Sequence, residues 1–297
     1  MLKTFFYTSI AIFAFAGNSI LCRLALGENT LDAASFTSIR LLSGIIVLAA
    51  ILKLTQKLDD KTVLETPSPV VSKGSWKAAF MLFLYAITFS FAYISLDTGA
   101  GALILFASVQ ITMILIGIIS GNRLYPLEWL GVILAFLGFI YLVSPGLSAP
   151  PLTGFILMSV AGIAWGGYTL AGRDSADPLS DTTYNFLRTL PLVILLWVLS
   201  IGQTHLTPKG IVLAILSGSI ASGIGYTIWY MALRGLSGAQ AAVVQLLVPV
   251  IAAIGGILFY NEAASIRLII SSLMILGGIL TVILGKKYYE QRLKSRP

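Results

Sequence analysis

Apolar residues gather into ten long runs along this chain, near 4–26, 35–54, 76–96, 101–120, 128–144, 153–173, 183–201, 209–232, 239–260 and 265–285. Each run is about as long as a helix needs to cross a bilayer. The breaks are short and carry turn or charge signals, as at Gly27-Glu28-Asn29, Gly121-Asn122-Arg123, Ser144-Pro145-Gly146 and Asn261-Glu262. The longest polar stretch, Lys53 to Lys77, holds five lysines with Pro67 and Pro69 and reads as a loop. The pattern predicts an all-α membrane protein of ten transmembrane helices.

Composition agrees. Of 297 residues, 57% are hydrophobic and 10% charged, and mean hydropathy is +0.93. Soluble domains carry roughly 25% charge, so a cytosolic enzyme, a secreted domain and a disordered chain are excluded. Ten helices of about 20 residues consume about 200, which leaves no room for a soluble domain. Met1-Leu2-Lys3 before an apolar run resembles a signal peptide, but the run is long and no convincing cleavage site precedes Arg23, so a retained first helix is expected. The single cysteine, Cys22, excludes an intrachain disulfide, and the single His205 excludes a multi-histidine metal site.

Net charge is +7, and the basic residues flank the apolar runs, which points to a bilayer rather than a nucleic acid. With the N-terminus inside and ten crossings, the inner segments hold Lys3, Lys53, Lys57, Lys61, Lys73, Lys77, Arg123, Arg173, Arg234, Lys286, Lys287, Arg292, Lys294 and Arg296. The outer segments hold Arg23, Lys209 and Arg267. That asymmetry predicts two cytoplasmic termini.

The two halves of the chain match in order. Ala16-Gly17-Asn18 pairs with Trp165-Gly166-Gly167, Phe36 to Arg40 with Tyr184 to Arg188, Tyr93 to Leu96 with Tyr230 to Leu233, and Leu137 to Ile140 with Leu276 to Ile279. A constant offset also pairs Gln110 with Pro249 and Asn122 with Asn261. Five spans per half is an odd number, so the second half enters from the opposite face. The expected plan is two inverted five-helix repeats, residues 1–147 and 148–297, the latter with a basic cytoplasmic tail. Inverted repeats are a recurring plan of secondary transporters, because two such halves can exchange conformations about a central site.

On the Trp165-Gly166-Gly167 patch, on Arg40 and Arg188 early in the second helix of each half, and on Pro249 to Asn261-Glu262 followed by Gly277-Gly278, the chain resembles the ten-helix EamA-type proteins of the drug/metabolite transporter superfamily. It departs from their pattern at Ala16, where tryptophan is common, and at Asn122-Arg123, where an acidic residue is usual. The resemblance implies transport of small organic metabolites, often outward, with no cofactor. It suits a bacterial inner membrane.

Polar residues inside a span are costly against lipid and should face the bundle or a path through it. Spans 1, 3, 4, 6, 8 and 9 carry them, and spans 5 and 10 carry small-residue spacings (Gly131 with Ala135, Gly277 with Thr281) suited to close packing. Candidate substrate-binding residues are Asn18, Tyr93, Gln110, Trp165, Tyr168, Tyr226, Trp229, Tyr230 and Gln245. For the aromatics the competing reading is packing or an interfacial anchor, and for the amides it is interhelical hydrogen bonding. Ser219, Ser222, Tyr226, Trp229 and Tyr230 form one helical stripe, and Gln240 joins Gln245 on span 9. Pro249 either frees a backbone carbonyl at a hinge or simply kinks its helix. Arg40 and Arg188 are the charges within spans. Each is either an anchor whose guanidinium snorkels to the headgroups or a gate that pairs with a carboxylate or carbonyl when its side closes.

No Asp or Glu occupies a span centre, which disfavours a buried-acid proton relay and favours facilitated diffusion or exchange. The expected cavity is aromatic and amide-rich without fixed charge, suited to amino acids or related zwitterions. Rivals are a flippase of lipid-linked cargo on the same fold, a receptor or structural membrane protein, and an intramembrane enzyme. The enzyme lacks paired carboxylates or metal ligands, and Asp174 with Asp177 reads as a solvated turn. The expected partners are a small molecule and the bilayer. The sequence leaves oligomeric state open.

Overall fold

The computed structural model describes residues 2–59, 73–121, 124–144, 149–172, 175–233, 235–236 and 244–294. Lys61, Pro67, Pro69, Asn122-Arg123, Pro145-Gly146, Arg173, Asp174, Arg234, Gln240 and Arg296 lie outside them. Among the described residues the chain is helical, with no strand beyond an isolated bridge between Leu31 and Leu206.

The helices are α1 (Leu2–Gly27), α2 (Ala33–Asp59), α3 (Trp76–Ala92), α4 (Thr98–Ile119), α5 (Pro126–Val143), α6 (Leu152–Gly172), α7 (Pro178–Gln203), α8 (Pro208–Leu233), α9 (Leu247–Tyr260) and α10 (Ile266–Lys294). Eight are long and apolar enough to span a bilayer, and α3 and α9 are shorter apolar helices. The outer surface is studded with large apolar side chains, among them Phe13, Ile46, Trp129, Phe136, Leu199, Phe259 and Leu273. Only lipid makes such a surface stable, since a soluble protein exposing it would aggregate.

Helix ends follow local chemistry. Asn29 and Asn261 adopt left-handed φ of 52° and 53°, the conformation that ends α1 and α9. The turn at Asn261 sends the Glu262 amide back to the Gly256 carbonyl at 3.1 Å. Ser75 caps α3 by accepting from the Ala78 amide at 3.1 Å, and Asp177 caps α7 by accepting from Ser180 at 3.2 Å.

Two helices are irregular. In α7 the α-helical segment Pro178–Arg188 gives way at Thr189 to Leu190–Ser200, where Pro191 has no amide for the Leu187 carbonyl. In α8 the residues Ser217–Ile224 are π-helical. The wider turn aligns residues about five apart, whereas at the roughly 100° per residue of an α-helix they diverge.

Helix pairs recur in a regular way. α3 and α4 pack on α6, and α8 and α9 pack on α1. α2 meets α7, α4 meets α9, and α5 meets α10 along their lengths. Renumbering each helix by five maps this set of pairs onto itself.

Small residues set the closest approaches. A Cβ on Gly131 would lie 2.5 Å from the Gly278 carbonyl, and one on Gly278 would lie 2.6 Å from the Ala135 amide. Gly162 on α6 sits equally tight against Ser108 and the Leu105 carbonyl of α4. The scaffold role expected of α5 and α10 is therefore met by Gly131, Ala135 and Gly278. Gly277, named from the sequence, faces open space.

Candidate functional site

α1, α3, α4, α6 and α8 enclose a central cavity of about 10 Å³ lined by Phe15, Asn18, Ser19, Tyr85, Phe89, Leu105, Phe106, Trp165 and Tyr226. That is room for roughly one water. Its wall is an aromatic box. The Trp165 ring centroid lies 4.8 Å from that of Tyr85 and 4.7 Å from that of Tyr226. Phe15 meets Trp165, Tyr226 and Trp229 edge-on at 6.3, 5.9 and 5.6 Å.

One polar chain threads the box. Ser217 donates to Asn18 Oδ1 at 2.6 Å, and Asn18 Nδ2 donates to the Tyr85 hydroxyl at 3.2 Å. Arg40 Nη2 donates to the hydroxyls of Tyr85 at 3.0 Å and Tyr226 at 3.3 Å, and Arg40 Nε donates to Ser222 at 3.2 Å. The Arg40 guanidinium also lies over the rings of Tyr85 and Phe89, 5.1 and 5.0 Å from their centroids. Arg40 is 1% exposed, and its Nη1 has no partner among the described residues.

This corrects one expectation. Arg40 does not snorkel: it is buried against the hydroxyls of Tyr85 and Tyr226, while the residues that line the cavity itself carry no charge. α2 runs against the π-helical part of α8 so closely that a Cβ on Gly218 would lie 2.0 Å from the Arg40 carbonyl. Packing on that scale buries the guanidinium at the centre of the bundle. The second-half counterpart behaves differently. Arg188 is half-buried, donates to the Lys73 carbonyl, and lies over the rings of Trp76 and Tyr184 at 5.8 and 5.9 Å.

The other candidates divide. Asn18, Trp165 and Tyr226 line the cavity, and Trp229 packs behind Phe15. Tyr168 is buried against Trp165 at 5.4 Å, with its hydroxyl near Thr182 and Asn185. Tyr230 is half-buried near Gly172. Gln110 and Gln245 are buried outside the cavity wall. Pro249 lies one turn after Gln245, just past a helix break at Leu246, so the Gln245 carbonyl has no amide to accept from at that position. In α8 the expected stripe shifts register. Ser219 bonds back to the Ile215 carbonyl at 2.5 Å, and Ser217 with Ser222 faces the interior. The π turn moves that face by one step. Sequence reasoning missed Phe15, Ser19, Tyr85, Phe89, Leu105 and Phe106. The recurrence Tyr85, Phe89, Tyr93 at every fourth residue was the available signal.

Polar clusters close the two ends of the bundle. At one end Arg23, counted from the sequence among the outer-segment cations, belongs to α1. It donates to Glu262 at 3.2 Å, Asp97 at 3.4 Å and the Tyr93 carbonyl at 3.2 Å, and lies 4.7 Å over the Tyr260 ring. Glu262 also accepts from the Thr98 amide at 2.8 Å and its hydroxyl at 3.0 Å. Tyr93 donates to the Thr98 carbonyl at 3.3 Å, so it belongs to this seal rather than to the cavity. Asp32 accepts from the amides of Ser35 at 2.8 Å and His205 at 2.9 Å, which ties α2 to the α7–α8 turn. At the other end the Gly74 amide donates to Asp181 at 2.7 Å and the Ser75 amide to Asn185 at 2.8 Å. Gly74 has φ +63°, and a Cβ there would lie 2.3 Å from Asn185 Oδ1. Among the described residues no group of His, Cys, Asp and Glu is placed to hold a metal.

A multi-helix membrane bundle with a sealed polar-aromatic centre is the class these features define. The EamA-like transporter family model matches residues 152–284. The uncharacterized protein PA1977 of Pseudomonas aeruginosa is 46% identical over 95% of this chain and 94% of its own length. An uncharacterized transporter of Archaeoglobus fulgidus is 24% identical over 69% of this chain and 74% of its own, and the uncharacterized transporter YwfM of Bacillus subtilis is 26% identical over 52% and 53%. A solved crystal structure of 19% identity superposes with a TM-score of 0.60, covering 93% of this chain and 98% of the other, which establishes the fold alone. The chain belongs to the EamA-like transporter family and is an integral membrane protein.

Proposed function

We propose that this protein is a secondary transporter that moves small organic metabolites, amino acids or related zwitterions foremost, by alternating access. The observation that carries the reading is a central polar-aromatic cavity held shut by a separate polar cluster at each end. A path sealed at both ends serves transport only if the seals open in turn. In this conformation the cavity holds about one water, so solute entry requires one end to swing open.

Residues 1–147 and 148–297 act as inverted repeats. The support is the ordered sequence correspondence and a helix-pair set unchanged when each helix is renumbered by five. The termini face the cytoplasm of a bacterial inner membrane, on the Lys and Arg asymmetry. Outward transport follows from the family resemblance. Carboxylates near the ends, Asp97 and Glu262, are engaged by Arg23, which leaves exchange or facilitated diffusion as the mode.

Counterflow into proteoliposomes tests this. Labelled L-phenylalanine should accumulate transiently when unlabelled solute is inside, without response to a pH gradient. Absence of counterflow for a full amino-acid panel by folded protein would remove the substrate class and shift weight to lipid-linked cargo.

A further inference from the structure

Arg40 is a full positive charge in the middle of a membrane bundle, and no carboxylate pairs with it among the described residues. Burying a cation without a counter-anion costs several kcal/mol, even after hydrogen bonds to neutral groups. Two hydroxyls, a serine and two ring faces soften that cost, but none supplies negative charge. A purely structural strut between α2, α3 and α8 could be made by a neutral amide. The charge calls for a charged visitor.

The geometry provides a seat for one. Nη2 is committed to Tyr85 and Tyr226, both of which line the cavity, while Nη1 of the same guanidinium has no partner among the described residues. Both tyrosine hydroxyls accept from Arg40 and they also bond to each other, so the pair keeps one phenol proton to donate elsewhere. A guanidinium N–H without a partner among the described residues, beside one phenol donor, matches the two acceptor oxygens of a carboxylate. Phe15, Phe106 and Trp165 give the wall an apolar and aromatic side, and Asn18 and Ser19 add neutral polar groups. The burial is no default of the repeated helix, because Arg188 at the matching position reaches a backbone carbonyl and the surface.

We infer that Arg40 is the anion anchor of the central site, and that the transported solute is an organic carboxylate with an apolar or aromatic body seated between Arg40 and the aromatic box. The inference rests on the transport reading above and narrows it. The carboxylate becomes the obligatory group, and an amino group on the same solute is optional.

Binding to the full chain in lipid nanodiscs, read by tryptophan fluorescence and thermal shift, tests it with four probes: L-phenylalanine, 3-phenylpropanoate, L-phenylalaninamide and phenethylamine. The two carboxylates should bind saturably, and the two probes without one at least about tenfold more weakly. Arg40→Gln should erase that ratio, and Arg40→Lys should keep part of it. An amide that binds as tightly as its acid, no saturable binding by either carboxylate, or an unchanged acid-to-amide ratio in Arg40→Gln would overturn the inference. Should Arg40→Gln not fold, the wild-type ratio alone decides. Carboxylate-selective binding without counterflow would retain the anchor and defeat the transport reading. Equal counterflow of phenylalanine and phenylalaninamide would do the reverse.

Discussion

Replacing Arg23 by alanine should open one end of the bundle, and Cys22 beside it supplies the reporter. The Arg23–Glu262 pair is largely sheltered, with side chains 12% and 8% exposed, while Asp97 is 60% exposed. Losing one partner of a buried pair costs about 3 kcal/mol or more. The exposed Asp97 arm adds about 0.5 kcal/mol, and the Tyr260 ring about another 0.5. If these contacts exist only when this end is shut, their loss shifts the closed-to-open ratio by roughly 10²–10³-fold. Cys22 is fully buried and is the single cysteine of the chain. An impermeant thiol reagent should therefore label Arg23→Ala far faster than wild type, and from one side of the membrane. Glu262→Gln should give a smaller rise, because the amide oxygen still accepts from Thr98. Unchanged labelling in a folded Arg23→Ala protein, or acceleration from both sides equally, would refute the latch.

Three further outcomes follow from particular contacts. Gly278→Val should lower thermal stability in detergent by about 1–3 kcal/mol through overpacking of α5 on α10, while Gly277→Val, with nothing within 4 Å, should stay near wild type. Ser217→Ala removes the donor to Asn18 and should cost about 1 kcal/mol in the same melt. In a Cys22→Ser background, Lys209→Cys should react with impermeant maleimide from outside intact cells and Lys57→Cys only after lysis. The opposite pattern would invert the proposed topology.

The bilayer makes much of this architecture legible. Each span must satisfy its own backbone, so length and apolarity of a run define a helix without reference to any other part of the chain. The same locality made Asn18, Trp165 and Tyr226 recognisable as interior residues, since polar or amphipathic groups within an apolar run have few alternatives. It gave Arg40 and Arg188 identical readings, however, and counted Arg23 only among the outer-segment cations.

What separates those three arginines lies far away in sequence. Arg23 meets Asp97 and Glu262, 74 and 239 residues on, and Arg40 meets Tyr85 and Tyr226, 45 and 186 residues on. The π turn in α8 decides that Ser217 rather than Ser219 faces inward, and no periodicity count reveals a register shift of that kind. The sequence by itself determined the solvent, the helices and the family, because hydropathy acts residue by residue. Tertiary structure decided which cation is latched, which is anchored and which is left with a free N–H at the centre, because the free energy of a buried charge depends on the partners that folding brings to it.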